Sequence, residues 1–505
     1  MLKAVPALLA LITAPVAAQP LEPAAAASPA APISTATFAE IDQLFADWRM
    51  SAHVPGLVYG VVVDGRLVHV RGLGVQDIVS NRPVTPDTLF RIASMSKAFT
   101  ALAILRLRDA GKVALDAPAD TYVPELRGWR YPTGDSPRPT VRNLLTHTSG
   151  FVEDNPWGDR QQVLSEGEFT AMLRAGVPFA RAPGLAMEYS NFGYATLGRI
   201  VTNVSGLPYQ DYIRREIMAP LGMASTGYDV FASPQARRAI GYRWQDNRWV
   251  REPDMRDGAF GAMGGVETSA QDYAKWVAYL LSAWPARDGA DSGPVRRATA
   301  REIVTGANFP AGVMRSPAIG GAPCRQATAY GMGWRVIDDC DLGRVVTHTG
   351  GYPGYGSVVV LLPDRNVGLF AFASRTYGAP SLPVFRSALL LQKAGAIDAP
   401  TIPVSDGLAT AYDAARAVWR LGTITAAPLA NNVLMDRDAA AWARLVADLR
   451  AEVGTCPATE PIQPVSAMEG RFTWNCAHGR ISGRVQRAPT PTVTIQALEY
   501  TVATP

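Results

Sequence analysis

The sequence predicts an α+β protein in which helices flank one antiparallel sheet, followed by a small second α+β module. Three observations support this fold class: strand patterns open the chain, helical patterns fill its middle, and strand patterns return after Tyr330. The simplest packing joins both strand groups in one sheet, because a sheet must bury a face against other elements. A Pro-containing stretch at Ala399–Val404 separates a domain at residues 36–397 from an accessory module at residues 398–505.

Length and composition agree with this organisation. The chain has 505 residues, of which 48% are hydrophobic and 18% charged, so it can build a large core and more than one domain. The formal net charge is only +4 and the arginines form no stripe, which argues against nucleic acid as a partner. Beyond the N-terminus no uncharged stretch is long enough for a transmembrane span, so none is expected.

The N-terminus has the pattern of a signal peptide at residues 1–18. Lys3 supplies a positive charge, Ala4–Pro15 an apolar run, and Val16-Ala17-Ala18 a small-residue cleavage site before Gln19. Residues 19–35 are rich in Ala, Pro and Ser and are expected to be a flexible leader. The pattern predicts a periplasmic or secreted protein.

Export permits disulfides, and the sequence has four cysteines, Cys324, Cys340, Cys456 and Cys476. They allow three pairings, of which the local one, Cys324–Cys340 with Cys456–Cys476, is favoured. None lies in a metal-binding motif, and no two histidines lie within one helical turn of each other. No metal and no organic cofactor is therefore expected.

The elements follow from local patterns. Asp64-Gly65 between β-branched runs predicts a hairpin over Gly56–Val70. An Ala- and Leu-rich pattern predicts a buried helix from Ser94 to Ala110 with Gly111 as its C-cap. Further helices are predicted at Phe192–Val204 and Tyr209–Met218.

After Tyr330, four strands are predicted, at Gly333–Ile337, Arg344–Thr349, Ser357–Leu362 and Val367–Ala373, with a turn at Pro363–Asn366. In the C-terminal module, helical spacing connects Trp442, Leu445, Val446 and Leu449, and short strands are predicted at Arg471–Cys476, Arg480–Arg487 and Thr492–Val502.

The first candidate for chemistry is Ser94-Met95-Ser96-Lys97 at the start of the buried helix. Residues three apart share a helix face, so Lys97 can act as the base that a serine nucleophile needs. Only neutral lysine can do so, and lowering its pKa from about 10.4 by three units requires about 4 kcal/mol, from burial or a nearby cation. The helix N-terminus favours an anion at Ser94. The alternative is that Ser94 caps the helix and Lys97 is solvated.

The second candidate is Tyr189-Ser190-Asn191, just before a predicted helix. Tyr189 is an acid/base candidate if cations lower its pKa from about 10. Asn191 offers a donor and an acceptor for a substrate amide. The alternative is a core tyrosine followed by an asparagine cap.

The third candidate is His348-Thr349-Gly350-Gly351 at the end of a predicted strand. The two glycines allow a substrate to approach the backbone closely. The N–H groups of Gly351 and Ser94 would then form an oxyanion hole, in which one donor contributes about 3–4 kcal/mol. The alternative is a glycine-rich β-turn.

Together, these three motifs in this order resemble the penicillin-binding-protein and class C β-lactamase family over roughly residues 36–397. The resemblance implies a β-lactamase/transpeptidase-like domain, with an all-helical region beside its antiparallel sheet. It also implies that Ser94 is acylated, that Lys97 takes or relays the proton, and that Tyr189 protonates the leaving group and later activates water.

The same resemblance implies that Asn191, His348, Thr349 and Gly350 bind substrate. His348 stands where many members of the family carry lysine, and histidine is mostly neutral at pH 7, which weakens a prediction of strong β-lactamase activity. His147, in the family-like segment Leu144–Gly150, is expected to be structural.

The predicted function is thus hydrolysis of an amide bond, in a peptide or a β-lactam, through an acyl-enzyme on Ser94. One alternative is a carboxylesterase acting on short-chain esters, and another is a receptor that binds penicillin or peptidoglycan without turnover. The expected partner is a small-molecule or peptide substrate, and the oligomeric state is left open. Other hydrolase motifs, G-x-S-x-G and H-E-x-x-H, are absent from the sequence.

Overall fold

The structure is a computed structural model that describes residues 33–287, 289–306, 308, 311–397 and 404–503. The predicted signal peptide and residues 19–32 of the predicted leader lie outside the described residues. At the end of the predicted leader, the Ser34 hydroxyl accepts a hydrogen bond from Thr37 N and a helix begins at Thr35, one residue before the predicted domain boundary. The described residues divide into two compact units, one within Pro29–Ala399 and the other within Pro400–Pro505.

The larger unit is built on a nine-stranded antiparallel sheet with the order β3-β2-β1-β13-β12-β11-β10-β9-β8. Its strands are β1 (Gly56–Val63), β2 (Arg66–Asp77), β3 (Arg82–Pro83), β8 (Ala311–Met314), β9 (Arg325–Tyr330), β10 (Arg335–Asp339), β11 (Gly343–Tyr352), β12 (Tyr355–Leu362) and β13 (Val367–Ala373). Two short pairs complete the strand list, β4 (Phe90–Arg91) with β7 (Glu267–Thr268), and β5 (Tyr242–Gln245) with β6 (Arg248–Arg251).

The predicted joining of early and late strands is confirmed. β1 pairs with β2 around Asp64-Gly65 and with β13 on its other side, where Tyr59 lies opposite Ala371. Side chains alternate between the two faces, so that Val358 and Val360 of β12 enter one core and Val359 and Leu361 enter the other. The sheet is therefore covered on both faces.

Helices provide both covers. Those of this unit are α1 (Thr35–Ser51), α2 (Lys97–Asp109), α3 (Val141–Leu145), α4 (Glu166–Ala175), α5 (Asn191–Ser205), α6 (Tyr209–Ile213), α7 (Ala270–Leu281), α8 (Arg297–Glu302) and α9 (Ser381–Lys393). α1 and α9 contribute to one core, and α2, α5 and α7 contribute to the larger core on the opposite face. This second layer carries the predicted site residues of the first two motifs.

Several predicted boundaries differ from the structure. The helix expected from Ser94 starts as a 3-10 helix, Ala93–Ser96, and becomes α-helical only at Lys97. Ala93, the first residue of this segment, has φ 48°, in the left-handed region, so a regular helix cannot extend further back through it. The helix expected over Tyr209–Met218 is α-helical to Ile213 and continues as a π-helix over Arg214–Met218.

The smaller unit is α+β as predicted. It contains α10 (Asp406–Leu421), α11 (Val433–Asp436) and α12 (Ala439–Val453), and a sheet with the order β14-β15-β16-β17, formed by β14 (Gln463–Pro464), β15 (Glu469–Cys476), β16 (Gly479–Arg487) and β17 (Ile495–Val502). Its core includes Trp474, Trp419 and Val446.

Each unit contains one disulfide, and the pairing is the local one. Cys324 joins Cys340 and Cys456 joins Cys476, with S–S distances of 2.10 and 1.97 Å. Within the described part of the chain, every helix falls short of the length and hydrophobicity that crossing a bilayer requires.

Candidate active site

The segment that carries Ser94 is fixed by hydrogen bonds on both sides. The Ser96 hydroxyl donates to Ala93 O at 2.6 Å, and the Ser357 hydroxyl of β12 donates to Ile92 O at 2.7 Å. Ala93 is held at its left-handed φ, a strained backbone of the kind that persists where the surroundings enforce it. Ser94 itself is 7% exposed and lines a cavity. The hydroxyl is thus presented to the cavity on a rigid turn.

The predicted role of the two glycines requires a correction. A Cβ on Gly350 would lie 2.2 Å from Ile92 O, and one on Gly351 would lie 2.6 Å from Cδ1 of Tyr377. The close approach that Gly350 permits is therefore to the protein's own nucleophile segment, rather than to a substrate. Gly350 is needed so that β11 can pack against the turn carrying Ser94.

Lys97 is wholly buried, so the alternative of a solvated helix end is wrong. Its Nζ lies 3.2 Å from Ser94 Oγ, 2.7 Å from Asn191 Oδ1 and 2.8 Å from Met263 O. A neutral amine has two N–H donors and one lone pair, and both carbonyl oxygens can only accept. Neutral Lys97 can therefore donate to Asn191 and Met263 while its lone pair receives the Ser94 hydroxyl proton.

Burial lowers the pKa of Lys97 to about 7. The carboxylates of Asp159 and Asp154 act in the opposite direction, because a nearby negative charge stabilises the ammonium. Of the two causes that the sequence suggested, desolvation is thus the one present. Lys97 is poised to exchange a proton near neutral pH.

Asp159 belongs to a 3-10 helix, Gly158–Arg160, that folds over Asn191. A Cβ on Gly158 would lie 2.7 Å from Asn191 Cβ, which shows how closely the segment packs. Asp159 is 4% exposed, accepts a hydrogen bond from the Tyr377 hydroxyl at 3.2 Å, and has its pKa raised by burial. It is a buried carboxylate whose negative charge raises the pKa of Lys97.

Replacing Asp159 with asparagine should move the acidic limb of the kcat/KM profile to lower pH by about one unit. The substitution removes a negative charge that favours the Lys97 ammonium, so the amine loses its proton at lower pH and the base is available there. Steady-state kinetics between about pH 5 and pH 9 measure the shift. The exposed Asp246→Asn variant is the control, and a limb that stays in place or moves upward in Asp159→Asn would contradict this electrostatic role.

Tyr189 lies beside the Lys97 amine, and the pKa of its phenol is raised rather than lowered as expected. Lys97 Nζ is 4.9 Å from the centroid of the Tyr189 ring. Burial, and then Asp159 and Asp154, raise the pKa of the phenol, outweighing the hydrogen bond with Ser94 that lowers it. The expected lowering of this pKa is wrong, and Tyr189 is a neutral phenol that can donate a proton.

Asn191 is placed as an internal support. It is wholly buried, with Oδ1 accepting from Lys97 and Nδ2 donating to Asn155 Oδ1 at 2.7 Å. Asp154 accepts from the N–H groups of Asn191 and Phe192, each at 2.7 Å, and so caps α5. The amide does not line the cavity, and its contacts orient Lys97, whereas the sequence suggested that it holds a substrate amide.

His348 is locked as a neutral imidazole. Its Nε2 lies 2.9 Å from the Tyr330 hydroxyl and its Nδ1 lies 2.6 Å from Thr349 O. A carbonyl can only accept, so Nδ1 carries the proton and Nε2 accepts from Tyr330. Burial and then the charge of Lys97 lower the pKa of His348 to about 3. This side chain therefore supplies no positive charge to the cavity.

Gly351 and Ser94 both line the cavity, as an oxyanion hole requires. Gly351 precedes Tyr352, which pairs with Tyr355 across a two-residue turn. A hairpin with a two-residue turn closes on a hydrogen-bonded pair. Hydrogen-bonded and non-hydrogen-bonded pairs alternate along antiparallel strands, so Gly351, one residue further from the turn, belongs to a non-hydrogen-bonded pair. The Gly351 N–H therefore faces away from β12. On that side β10 begins only at Arg335, opposite Thr347, which leaves the N–H of Gly351 clear of the ladder.

The cavity has a volume of about 920 Å³. It brings together four predicted residues, Ser94, Tyr189, His348 and Thr349, with Gly351, and adds side chains that the motifs did not include, among them Glu153, Asp159, Tyr330, Arg335 and Tyr377. Among the described residues, no group of three or more His, Cys, Asp or Glu side chains is arranged to hold a metal ion.

Arg335 is the cation of this cavity. It is exposed at the start of β10, and in the part of the chain that the structure describes its side chain makes no hydrogen bond or ion pair. Its charge nevertheless lowers the pKa of both His348 and His147. Because Arg335 lines the cavity, its guanidinium is available there to an anionic group.

Comparisons with known proteins identify the family of this chain. The sequence model of the Beta-lactamase family matches residues 37–393. Protein flp of Staphylococcus aureus (strain N315) is 28% identical over 337 residues, 66% of this chain and 62% of that protein. Esterase EstB of Burkholderia gladioli is 34% identical over 250 residues, 47% of this chain and 61% of that protein. The chain thus spans about three fifths of the length of these curated relatives.

Solved structures show the same fold. The octameric penicillin-binding protein homologue from Pyrococcus abyssi has a TM-score of 0.59 at 21% identity, covering 92% of this chain and 99% of its own. A class C β-lactamase has a TM-score of 0.56 at 22% identity, covering 71% of this chain and 96% of its own. Because the family model covers most of the chain and the fold agrees, the chain belongs to the serine β-lactamase-related family.

Proposed function

We propose that the protein hydrolyses an amide bond, in a peptide or a β-lactam, through an acyl-enzyme on Ser94. The observation that carries this proposal is the environment of Lys97, whose amine lies 3.2 Å from Ser94 Oγ between two carbonyl acceptors. A serine hydroxyl becomes a useful nucleophile only when a base takes its proton. A buried amine with a pKa of about 7 can do this at neutral pH.

In the acylation step Ser94 Oγ attacks the carbonyl carbon of the substrate while its proton passes to Lys97 Nζ. The N–H groups of Ser94 and Gly351 stabilise the oxyanion that forms. As the C–N bond breaks, the neutral Tyr189 phenol donates its proton to the leaving nitrogen and recovers one from Lys97. The acyl group is then on Ser94 and Lys97 is neutral again.

Deacylation uses Lys97 as the base again, with water in place of the Ser94 hydroxyl as the nucleophile. Neutral Lys97 takes a proton from water, whose oxygen attacks the acyl carbonyl, and the proton returns to Ser94 Oγ as the ester bond breaks. The raised pKa of Tyr189 makes a tyrosinate base costly, so activation of water is assigned to Lys97 here. The products are a carboxylic acid and an amine, and one water is consumed.

The cavity favours a substrate that carries a carboxylate near the scissile bond. Arg335 offers a free guanidinium, and Thr349 adds an exposed hydroxyl on the same wall. Arginine suits carboxylates because its planar fork can donate two parallel hydrogen bonds. Peptides with a free C-terminus and β-lactams both have such a carboxylate, whereas simple short-chain esters do not.

Replacing Arg335 with glutamine should raise KM for an N-acylated D-Ala-D-Ala peptide by about 10- to 100-fold, since a hydrogen bond to a charged group contributes about 1.5–3 kcal/mol. KM for p-nitrophenyl acetate should stay within about twofold, because that ester has no anionic group to lose. Steady-state kinetics of both substrates measure the difference. Arg344→Gln, an exposed β11 residue that does not line the cavity, is the control. Equal losses on both substrates would contradict carboxylate recognition.

An esterase is the second candidate function, because Esterase EstB is among the relatives. The two are separated by a panel of nitrocefin, D-Ala-D-Ala peptides and short-chain esters, tested with the wild type and Ser94→Ala. We expect turnover of an amide substrate, a transient mass adduct on Ser94, and neither in Ser94→Ala. Turnover of esters alone would favour the esterase, and a penicillin adduct that persists would favour a receptor. Turnover that survives Ser94→Ala would overturn the proposal.

A further inference from the structure

His147 lies next to the candidate site but does not line its cavity. The residue is wholly buried, does not line the cavity, and has φ 56°, in the left-handed region. Few side chains other than asparagine, aspartate and histidine adopt this backbone readily. A residue held in this way, directly behind a site, has a conformation that its surroundings enforce.

His147 accepts hydrogen bonds from the two residues on either side of Tyr189 in the chain. The backbone oxygen of His147 accepts from Glu188 N at 2.8 Å, and its Nδ1 accepts from Ser190 N at 3.1 Å. The main chain is thus fixed on both sides of Tyr189. With both flanking N–H groups held by one residue, the direction in which the Tyr189 side chain leaves the backbone is determined.

The imidazole also supports the phenol ring directly. Its centroid lies 4.3 Å from that of Tyr189, 4.6 Å from that of Tyr330 and 5.1 Å from that of Tyr194. Tyr189 therefore packs against a cluster of aromatic rings. Within this cluster, His147 is the residue that is also hydrogen-bonded to the backbone next to Tyr189. Tyr330 in turn donates a hydrogen bond to His348, which connects this aromatic cluster to β11.

The protonation of His147 is determined by its contacts. Because Nδ1 accepts from a backbone N–H, the proton of the neutral ring is on Nε2. Burial, followed by the charges of Lys97, His348 and Arg335, lowers the pKa of the ring well below its usual value, so it stays neutral. Nε2 is buried with no hydrogen-bond partner among the described residues.

An unpaired buried N–H is costly, and an apolar side chain would fill the space without that cost. The imidazole is therefore better explained by its acceptor at Nδ1 than by packing alone.

We propose that His147 is a positioning residue for Tyr189, holding its phenol where it can donate to the leaving group. The inference rests on the proposed function, in which Tyr189 is the proton donor. His147 acts through the Ser190 N–H and through ring contact, and it touches neither Ser94 nor the substrate cavity. Its loss should therefore matter only while the Tyr189 hydroxyl is present.

A double-mutant cycle tests this dependence, because the effects of residues that act through one another are not additive. The variants are His147→Leu, Tyr189→Phe and the combination, with kcat and KM measured on an amide substrate that the wild type turns over. We expect His147→Leu to lower kcat by about 10- to 100-fold with KM changed less than threefold, as for misplacement of a catalytic group. In the Tyr189→Phe background the same substitution should change kcat less than twofold.

His147→Asn is the conservative variant, because asparagine tolerates the left-handed backbone and places an acceptor near the position of Nδ1. It should recover most of the kcat lost in His147→Leu. If leucine does not fold at this φ, His147→Gly replaces it in the cycle, because glycine adopts positive φ without strain. Thermal melting of each variant establishes that it is folded.

Equal losses in the two backgrounds, or equal losses for His147→Asn and His147→Leu, would overturn the positioning role while leaving the proposed function intact. Full kcat in Tyr189→Phe would overturn the proton-donor role in the proposed function, and this inference with it.

Discussion

Replacing Lys97 with methionine should lower kcat/KM for an amide substrate by about 10³-fold or more, because general-base catalysis contributes about 10²–10⁴-fold and Lys97 is the proposed base. The Lys97 amine lies 3.2 Å from Ser94 Oγ and donates hydrogen bonds to two fixed acceptors, Asn191 Oδ1 and Met263 O. Its lone pair is therefore left to take the proton of Ser94. Methionine has a similar length and volume but no basic nitrogen. Stopped-flow or steady-state kinetics measure the loss.

The protein should remain folded after this change. Methionine removes a wholly buried amine that is costly to desolvate, but it leaves Asn191 Oδ1 and Met263 O without a donor, and these effects oppose each other at about 1–3 kcal/mol each. Lys112→Met, at an exposed lysine, is the matched control and should keep wild-type kinetics. Retention of more than about a tenth of wild-type kcat/KM by a folded Lys97→Met protein would contradict the assignment of the base.

Replacing Gly350 with alanine should impair folding and activity together. The new Cβ would lie 2.2 Å from Ile92 O and 2.3 Å from Ser357 Oγ, so β11 and the nucleophile turn must move apart. Overpacking of this kind costs about 1–3 kcal/mol, and displacing the nucleophile by about 1 Å can cost about 100-fold in rate. Denaturant unfolding and kcat/KM of the same preparation measure the two effects.

Gly128→Ala is the matched control, because a Cβ there meets no atom of the described chain within 4 Å and its φ is not positive. It should change the free energy of unfolding by less than about 0.5 kcal/mol. A Gly350→Ala protein with wild-type stability and activity would show that the turn carrying Ser94 is not pressed against β11 as the structure has it.

Much of the fold could be predicted because its strongest elements have local patterns. The Asp64-Gly65 turn and the β-branched runs on either side predict the first hairpin, and the continuous apolar runs of β12 and β13 predict the closing strands. The elements that were missed are decided by their surroundings. Every residue of β8 is exposed, at the edge of the sheet, and α10 has small alanines at several of the positions that face its core.

Three motifs predict the centre of the site, because each places a reactive group next to a helix start or a strand end. The residues that complete the site have no such motif. The Met263 carbonyl comes from a short 3-10 helix far along the chain, and Asp159 comes from another short 3-10 helix that packs over Asn191. Only the folded chain brings them to Lys97.

The errors about the site share one physical cause, which is burial. The sequence predicts a lowered pKa for Tyr189, but burial of the phenol raises the pKa, and the charges of Asp159 and Asp154 act in the same direction. The role of Gly350 was assigned to substrate, but the space beside it is filled by Ile92. A sequence shows which groups are present, whereas desolvation and close packing depend on what surrounds them.

The most direct test is the pH dependence of acylation, measured by rapid quench and intact-mass spectrometry as the rate at which the Ser94 adduct forms. If buried, neutral Lys97 is the base, the rate should rise about tenfold per pH unit at low pH and level off near pH 7, the pKa of that amine. A rate that keeps rising toward about pH 10, the range of an ordinary lysine, or an adduct on a residue other than Ser94, would contradict the account.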